Sequence, residues 1–340
     1  MREANLSGKL TVKKYPENWK AFLEKRAKEI NQRRTRTNTQ LFVTEANEDE
    51  KTPEVTDKER AEEKRNDKDT EKDKKQDSEK KTNETKAPAE PPYEDKVFAT
   101  NPLSYRISVA LLNDDEVVDV SGLLGAGDLE FVCAALVESI TQTPHAITLN
   151  EARIWLGSRI RFVYAVPDRN LRIKKAEAAR NELRRVLKEM NLDSLDDIEK
   201  LRRINQWTYL NTEYNYPALD FLHTCQPITP ELESNWTTYG PAIDHLAVCE
   251  GYSEAFVFLA CEAGFEAIGV TGSINGDASV GHKWAAVKIN GEWRYFDPTW
   301  NDAEGYEERW FNLPVDHPIM TEYYNLDRRY VVSTYINDYR

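Results

Sequence analysis

Three residues in the C-terminal part of the chain could together perform nucleophilic chemistry on a carbonyl carbon: Cys249, His282 and Asp297. A cysteine attacks as its thiolate, so its pKa must fall from about 8.5 towards neutrality, which a helix N-terminus or a nearby imidazole can achieve. Cys249 directly precedes an apolar helical pattern that Gly264 ends. We therefore predict that its thiol lies in the first turn of a helix over about residues 248–263, where the helix dipole favours negative charge on sulfur.

The dipeptide Asn290-Gly291, between two runs of β-forming residues, predicts a hairpin with a two-residue turn. Such a turn fixes which residues face each other: Ile289 and Glu292, Trp284 and Asp297, and His282 and Thr299. Opposed residues share a face, so His282 and Asp297 become diagonal neighbours with Cβ atoms about 7–8 Å apart. This separation allows an imidazole–carboxylate hydrogen bond, whereas a slip of one residue would place the two side chains on opposite faces.

The predicted arrangement assigns a role to each group. His282 would accept the thiol proton and later donate a proton to the leaving amine, while Asp297 would hold the ring in one tautomer. The oxyanion of the tetrahedral intermediate would be received by the backbone N–H of Cys249 and by one upstream donor, for which Tyr239 and Trp236 are the candidates.

Each of these residues also has a structural interpretation. A cysteine at a helix start, a histidine before a strand and an aspartate before a proline all occur in proteins without catalysis. Their agreement in helix position, hairpin register and chain order favours the chemical interpretation. Trp284 and Trp300 are candidates for the walls of the cleft and equally for the core. Cys261, inside the helix predicted to begin at Cys249, is expected to be an inert core residue.

Composition divides the chain into four regions. Residues 1–42 form a basic, partly helical head, in which apolar residues at helical spacing over 15–34 predict a helix on the surface or docked on a partner. Residues 43–96 are mostly charged and small polar residues with little to bury, so we predict a disordered linker. Residues 97–194 are predicted to be an α/β region and residues 195–340 the catalytic core, which gives an α+β fold class.

The distribution of charge argues against nucleic acid as a partner and favours a protein or peptide substrate. The net charge is −13, composed of 11 Lys/Arg against 4 Asp/Glu in residues 1–40, 13 against 19 in residues 41–96, and 22 against 36 in residues 97–340. The part able to fold is therefore acidic, which mildly favours cationic or amine-bearing substrates.

Neither a transmembrane segment nor a secretory signal is expected, because the chain has no run of about 18 apolar residues and no apolar stretch follows its first charges. A cytoplasmic location is the default expectation, with a cell-surface or exported protein as the alternative. Four cysteines in a chain of this size do not form a disulfide framework. His223, Cys225 and His245 lack a second pair at ligand spacing, so we expect no metal and no cofactor.

Three sequence blocks resemble, in the same order, the cysteine, histidine and aspartate blocks of the transglutaminase-like superfamily: Ala247-Val248-Cys249-Glu250-Gly251-Tyr252, Gly281-His282-Lys283-Trp284, and Tyr295-Phe296-Asp297-Pro298-Thr299-Trp300-Asn301-Asp302. The similarity is closest to bacterial transglutaminase-like domain proteins and extends over about residues 98–315. It implies a papain-like fold and the triad Cys249, His282 and Asp297. Lys283 departs from the family, which commonly has a small residue there, and so places a cation beside the base.

The residues and the resemblance together predict a cysteine enzyme that acts on peptide, isopeptide or side-chain amide bonds through an acyl-thioenzyme. If water resolves the acyl group, the protein is a peptidase or amidase; if an amine does, it is a transglutaminase. We favour hydrolysis, because transamidation needs an acceptor tunnel that excludes water. The alternative is a binding or scaffolding module that retains the fold without turnover, and a metal-dependent hydrolase is the least favoured interpretation.

Overall fold

The computed structural model of the protein describes residues 42–45, 99–144, 148–222, 224, 226–274, 277–303, 308–318 and 324–326. The head predicted over residues 1–42 and the linker predicted over residues 43–96 therefore lie outside the described residues, apart from residues 42–45. The described part is a mixture of helices and sheets, so the predicted α+β fold class is confirmed.

The helices of the described part begin at identifiable caps. In chain order they are α1 (Pro102–Leu112), α2 (Leu129–Gln142), α3 (Arg169–Glu189), α4 (Asp197–Asn211), α5 (Tyr216–Leu222), α6 (Cys249–Glu262) and α7 (Pro298–Ala303). The side chains of Asn101, Asp128, Asp168 and Asp196 accept hydrogen bonds from the backbone N–H three residues later, which starts α1 to α4. Helix α6 confirms the helix predicted over about residues 248–263, with each end one residue inside the predicted range.

The strands of the described part form two larger sheets and one small one. They are β1 (Phe42–Glu45), β2 (Val117–Asp119), β3 (Leu149–Trp155), β4 (Arg159–Tyr164), β5 (Glu213–Tyr214), β6 (Leu246–Ala247), β7 (Glu266–Ile274), β8 (Asp277–Ile289), β9 (Glu292–Phe296), β10 (Leu313–Pro314) and β11 (Tyr324–Leu326). The first sheet has the order β1-β3-β4-β2, the second has the order β10-β9-β8-β7-β11, and β5 pairs with β6.

The hairpin of β8 and β9 has the register predicted from its turn. Ile289 lies opposite Glu292 and Ala285 lies opposite Phe296. Asn290 and Gly291 have φ angles of 51° and 85°, and positive φ at both central residues is what a two-residue hairpin turn of this type requires.

Two groups of buried side chains hold the described part together. One lies between α1, α2 and the first sheet, and the other is formed by α3, α4, α6 and the second sheet. Helix α6 is the central element of the second group, because every residue from 251 to 261 is buried. A helix enclosed on all sides fixes the position of its own first turn, where Cys249 lies.

One boundary of the sequence-based division differs in the structure, and a second stays a prediction. Residues 43–45, which were expected to open the linker, belong to strand β1, which pairs in parallel with β3; Phe42, Val43 and Thr44 have the side chains that favour strands. Helix α3 contributes Ala179 and Leu183 to the same buried group as α6. The division between residues 194 and 195 stays a prediction.

Candidate active site

The thiol of Cys249 lies at the first residue of α6, where it is partly exposed. Val248 precedes the helix and offers no side-chain cap, so the dipole of the helix N-terminus acts on this position. The first turn is also closely packed. A Cβ atom at Gly251 would lie 2.7 Å from the carbonyl oxygen of Asn235 and 2.8 Å from the Cβ of Ala247. Only glycine therefore allows the turn that carries the thiol to sit this close to its neighbours.

His282 and Asp297 are hydrogen-bonded in the interior of the protein. Nε2 of His282 lies 2.6 Å from Oδ2 of Asp297, and both side chains are almost inaccessible to solvent. Because Nε2 is engaged, Nδ1 is the ring nitrogen left for Cys249, with which the imidazole also forms a hydrogen bond. The structure thus brings the three predicted residues together as a carboxylate, an imidazole and a thiol in series, an arrangement that can activate a thiol.

The surroundings of His282 favour its charged form. Burial lowers the pKa of the imidazole, but the charge and hydrogen bond of Asp297, together with the hydrogen bond and charge of Cys249, outweigh burial and raise the pKa to about 10. A protonated imidazole next to the sulfur in turn favours the thiolate. Among the other described cysteines, burial raises the pKa of the Cys133 thiol and raises that of Cys261 to about 12.

Asp297 uses both of its carboxylate oxygens. Oδ2 accepts from His282, and Oδ1 accepts from the backbone N–H of Trp300 at 3.0 Å, which caps helix α7. This helix corrects one sequence-based expectation: Thr299 does not lie opposite His282 in a strand, because the ladder ends at Ala285 and Phe296 and Thr299 belongs to α7. Pro298 has no N–H for the ladder and suits the first turn of a helix. The hydrogen bond of this cap, and not the expected strand pairing, fixes the position of the carboxylate.

Two tryptophan side chains surround the imidazole of His282. The ring of Trp284 stacks beside it with centroids 6.0 Å apart, and Trp300 meets it edge-on at 5.6 Å. Trp284 is 0% exposed and Trp300 is 6% exposed. The side chain of Trp284 thus lies in the core, and a role for it in the wall of the cleft stays a prediction. A role of Trp300 in the cleft stays a prediction.

The two candidates for the oxyanion donor lie upstream of Cys249. The ammonium of Lys175 lies 4.4 Å from the ring centroid of Tyr239, and burial raises the pKa of the Tyr239 hydroxyl, which keeps it a hydrogen-bond donor. Trp236 is buried in a small apolar group with Val248, the residue before the nucleophile. Both oxyanion roles stay predictions.

The remaining sequence expectations concern metals and membranes. Among the described residues, no group of three or more His, Cys, Asp or Glu side chains is arranged to hold a metal ion. His223 and Cys225 lie outside the described residues. Within the same part of the chain, every helix is too short or too polar to cross a bilayer.

Two features beside the triad were not predicted from the sequence. The hydroxyl of Tyr252 lies 3.0 Å from Oδ2 of Asp302 and 2.9 Å from the carbonyl oxygen of Thr212, so its single proton can be donated to either oxygen, and the contacts join α6 to α7 and to the end of α4. The ammonium of Lys283, whose departure from the family is visible in the sequence, contacts carboxylates of α6. The partners in both cases come from distant parts of the chain, so no local pattern indicates them.

The family comparison agrees with this geometry. Residues 184–298 match the model of the transglutaminase-like superfamily. The chain therefore contains a transglutaminase-like domain. The matched segment includes Cys249, His282 and Asp297, and it confirms the resemblance inferred from the three sequence blocks.

Distant likenesses to this chain exist among solved structures. One is a TGase, with 15% sequence identity and a TM-score of 0.35. Another is a candidate cysteine protease from Cytophaga hutchinsonii, with 17% identity and a TM-score of 0.30. In each case the likeness covers 45% of this chain and 45% of the other chain. No protein of curated function shows significant similarity to the sequence.

Proposed function

We propose that the transglutaminase-like domain is a cysteine enzyme that cleaves peptide, isopeptide or side-chain amide bonds through an acyl-thioenzyme. The observation that carries this proposal is the buried hydrogen bond of 2.6 Å between His282 and Asp297, made by an imidazole that also bonds the thiol of Cys249. A structural histidine would need no carboxylate on one side and a partly exposed thiol on the other.

The first half of the proposed reaction forms a thioester. The thiol proton resides on His282, and the sulfur of Cys249 attacks the amide carbon, so that a C–S bond forms and the carbonyl oxygen becomes an oxyanion. The backbone N–H of Cys249, with Tyr239 or Trp236 as the second donor, stabilises that oxyanion. When the intermediate collapses, the C–N bond breaks and the imidazolium gives its proton to the leaving amine.

The second half releases the acyl group. Neutral His282 accepts a proton from a water molecule, whose oxygen attacks the thioester, and the products are a carboxylic acid and the restored thiol. We propose hydrolysis rather than transamidation because water needs no dedicated acceptor site. An amine in place of water would give transglutaminase chemistry with the same residues.

Alkylation of the native protein tests whether the thiol is activated. Iodoacetamide should label Cys249 faster than Cys133 at neutral pH, and mass spectrometry of peptides gives the two rates separately. Cys133 is an internal control, because it is partly exposed and burial raises the pKa of its thiol. The variant His282→Ala should slow the labelling of Cys249 by about tenfold or more, while the labelling of Cys133 stays unchanged.

The outcomes separate the enzyme from a scaffold. Equal rates at Cys249 and Cys133, unaffected by His282→Ala, would favour a binding or scaffolding module and reject the proposal. If Cys249 is activated, incubation with a peptide library, with and without a primary amine, identifies the resolving nucleophile. Hydrolysed products in the presence of the amine support a peptidase or amidase, and amine-linked products would replace that assignment with a transglutaminase.

A further inference from the structure

A group of three charged side chains, of which Lys283 and Glu254 are buried, lies beside the proposed triad. Lys283 follows His282 on β8, and its ammonium contacts carboxylate oxygens of Glu254 and of Glu250, the latter at 3.4 Å. The side chains of Lys283 and Glu254 are 4% and 2% exposed, whereas that of Glu250 is 27% exposed. Glu250 follows Cys249 on α6. The ion pairs therefore join residues adjacent in sequence to the proposed nucleophile and base.

The backbone of Lys283 is bound to the same helix. The hydroxyl of Ser253 donates to the carbonyl oxygen of Lys283 at 2.9 Å, and both groups are buried. The stem of Lys283 passes over Gly269 of β7, because a Cβ atom at that position would lie 2.9 Å from its Cε. The side chain is thus in contact with β7 through its stem and with carboxylates of α6 through its ammonium.

We propose that Lys283 is a positioning residue, which ties the helix that carries Cys249 to the strand that carries His282 through Glu254 and Glu250. The inference rests on the proposed thiol chemistry. Hydrogen bonding between the thiol and the imidazole depends on how α6 is placed against β8, since the two residues come from different elements. The ion pairs fix that placement through Lys283, which follows His282, and through Glu250, which follows Cys249, with Glu254 one turn further along α6.

Lys283 also offsets the negative charge of two carboxylates on the helix that carries Cys249. The charged groups that face this region are Glu250 and Glu254 from α6, His282 and Lys283 from β8, and Asp297 after β9. The neighbouring contacts from β7 and α2, at Gly269 and Thr141, are uncharged. Without the ammonium, Glu250 and Glu254 would lose the cation with which they pair, on the helix that carries Cys249.

The pH dependence of Cys249 alkylation tests this role. In Lys283→Met the pH midpoint of Cys249 alkylation should rise by about one pH unit, towards the pKa of about 8.5 of an ordinary thiol. Alkylation of Cys249 at neutral pH should then be about tenfold slower. The double variant Lys283→Met/Glu254→Met removes both charges of the buried pair and keeps apolar volume, so it should fold even if the single variant does not. It should show the same upward shift.

Lys288→Met is the matched control. Lys288 lies on the same strand and pairs with Glu266 at 3.1 Å, but both side chains are about one-third exposed, at 34% and 36%. The pH midpoint of Cys249 alkylation in Lys288→Met should equal that of the wild type. The positioning role is rejected if the double variant has the midpoint of Lys288→Met. The wild-type protein distinguishes the two proposals. If its Cys249 is alkylated no faster than Cys133, the proposed thiol chemistry is rejected. If wild-type Cys249 is activated but the double variant shows no shift of the midpoint, only the positioning role of Lys283 is rejected.

Discussion

Replacing Asp297 with asparagine removes the charge of the carboxylate while keeping its shape, and the structure sets the size of the effect. Both carboxylate oxygens accept hydrogen bonds, one from His282 at 2.6 Å and one from the backbone N–H of Trp300 at 3.0 Å. An amide has a single acceptor oxygen, so if that oxygen keeps the helix cap, the imidazole faces an NH₂ group that can donate but cannot accept. Loss of a cap costs about 1 kcal/mol, and loss of a hydrogen bond to a charged group costs about 1.5–3 kcal/mol.

The second loss changes the pKa of His282. At 1.36 kcal/mol per unit, a loss of about 1.5–3 kcal/mol lowers the pKa of the imidazole by roughly 1–2 units. Because the imidazolium favours the thiolate, the midpoint of Cys249 alkylation should rise by about one unit. Hydrolysis of a peptide substrate should slow by up to about 10⁴-fold, the loss that the same change produces in a serine triad.

A nearby aspartate provides the comparison for this experiment. Asp302 is buried, and its Oδ2 accepts from the hydroxyl of Tyr252 at 3.0 Å, a bond that an amide oxygen can also accept. Alkylation profiles of Asp297→Asn and Asp302→Asn, measured with thermal unfolding to show that both fold, separate the local charge effect from general disturbance. Equal midpoints in the two variants would show that Asp297 does not tune the imidazole.

Three further outcomes are expected. The pKa of His282 is raised from 6.5 to about 10, so the stabilisation that its charged form gives is fully present below about pH 6.5 and is lost as the pH rises to about 10. The free energy of unfolding in urea should therefore fall between these two pH values, and His282→Gln should remove this dependence on pH. Gly251→Ala should destabilise the protein by about 1–3 kcal/mol and slow Cys249 alkylation, because its Cβ would push the first turn of α6 away from Asn235. Gly291→Ala, at φ +85°, should cost about 1 kcal/mol in thermal unfolding, whereas Gly127→Ala, with open space around its Cβ, should cost less.

The hairpin could be predicted from the sequence because its information is local. Asn290-Gly291 specifies the turn, the turn specifies the register, and the register places His282 and Asp297 on one face. The sequence also indicates the start of α6, since a helical apolar pattern follows Cys249. What the hairpin pattern could not supply is the end of the ladder, where Pro298 starts a helix and Asp297 becomes its cap.

Contacts between distant segments were beyond prediction from one sequence. The bond between Lys283 and Glu254 spans 29 residues and the bond between Tyr252 and Asp302 spans 50. Neither pair has a spacing that helix or strand periodicity would mark. The burial of Trp284 has the same origin: alternation along β8 gives the face on which the ring lies, but the ring that meets it there, Tyr295, comes from β9.

The two halves of the proposed triad therefore differ in what holds them. His282 and Asp297 are joined by a tight hairpin and by a cap made within the same short segment, so their hydrogen bond needs little of the rest of the protein. Cys249 and His282 come from a buried helix and a strand whose relative position depends on packing and on the Lys283 ion pairs. A shift of about 1 Å can cost about 100-fold in a reaction that depends on alignment. Substitutions that loosen α6 against β8 should accordingly reduce thiol reactivity before they unfold the hairpin.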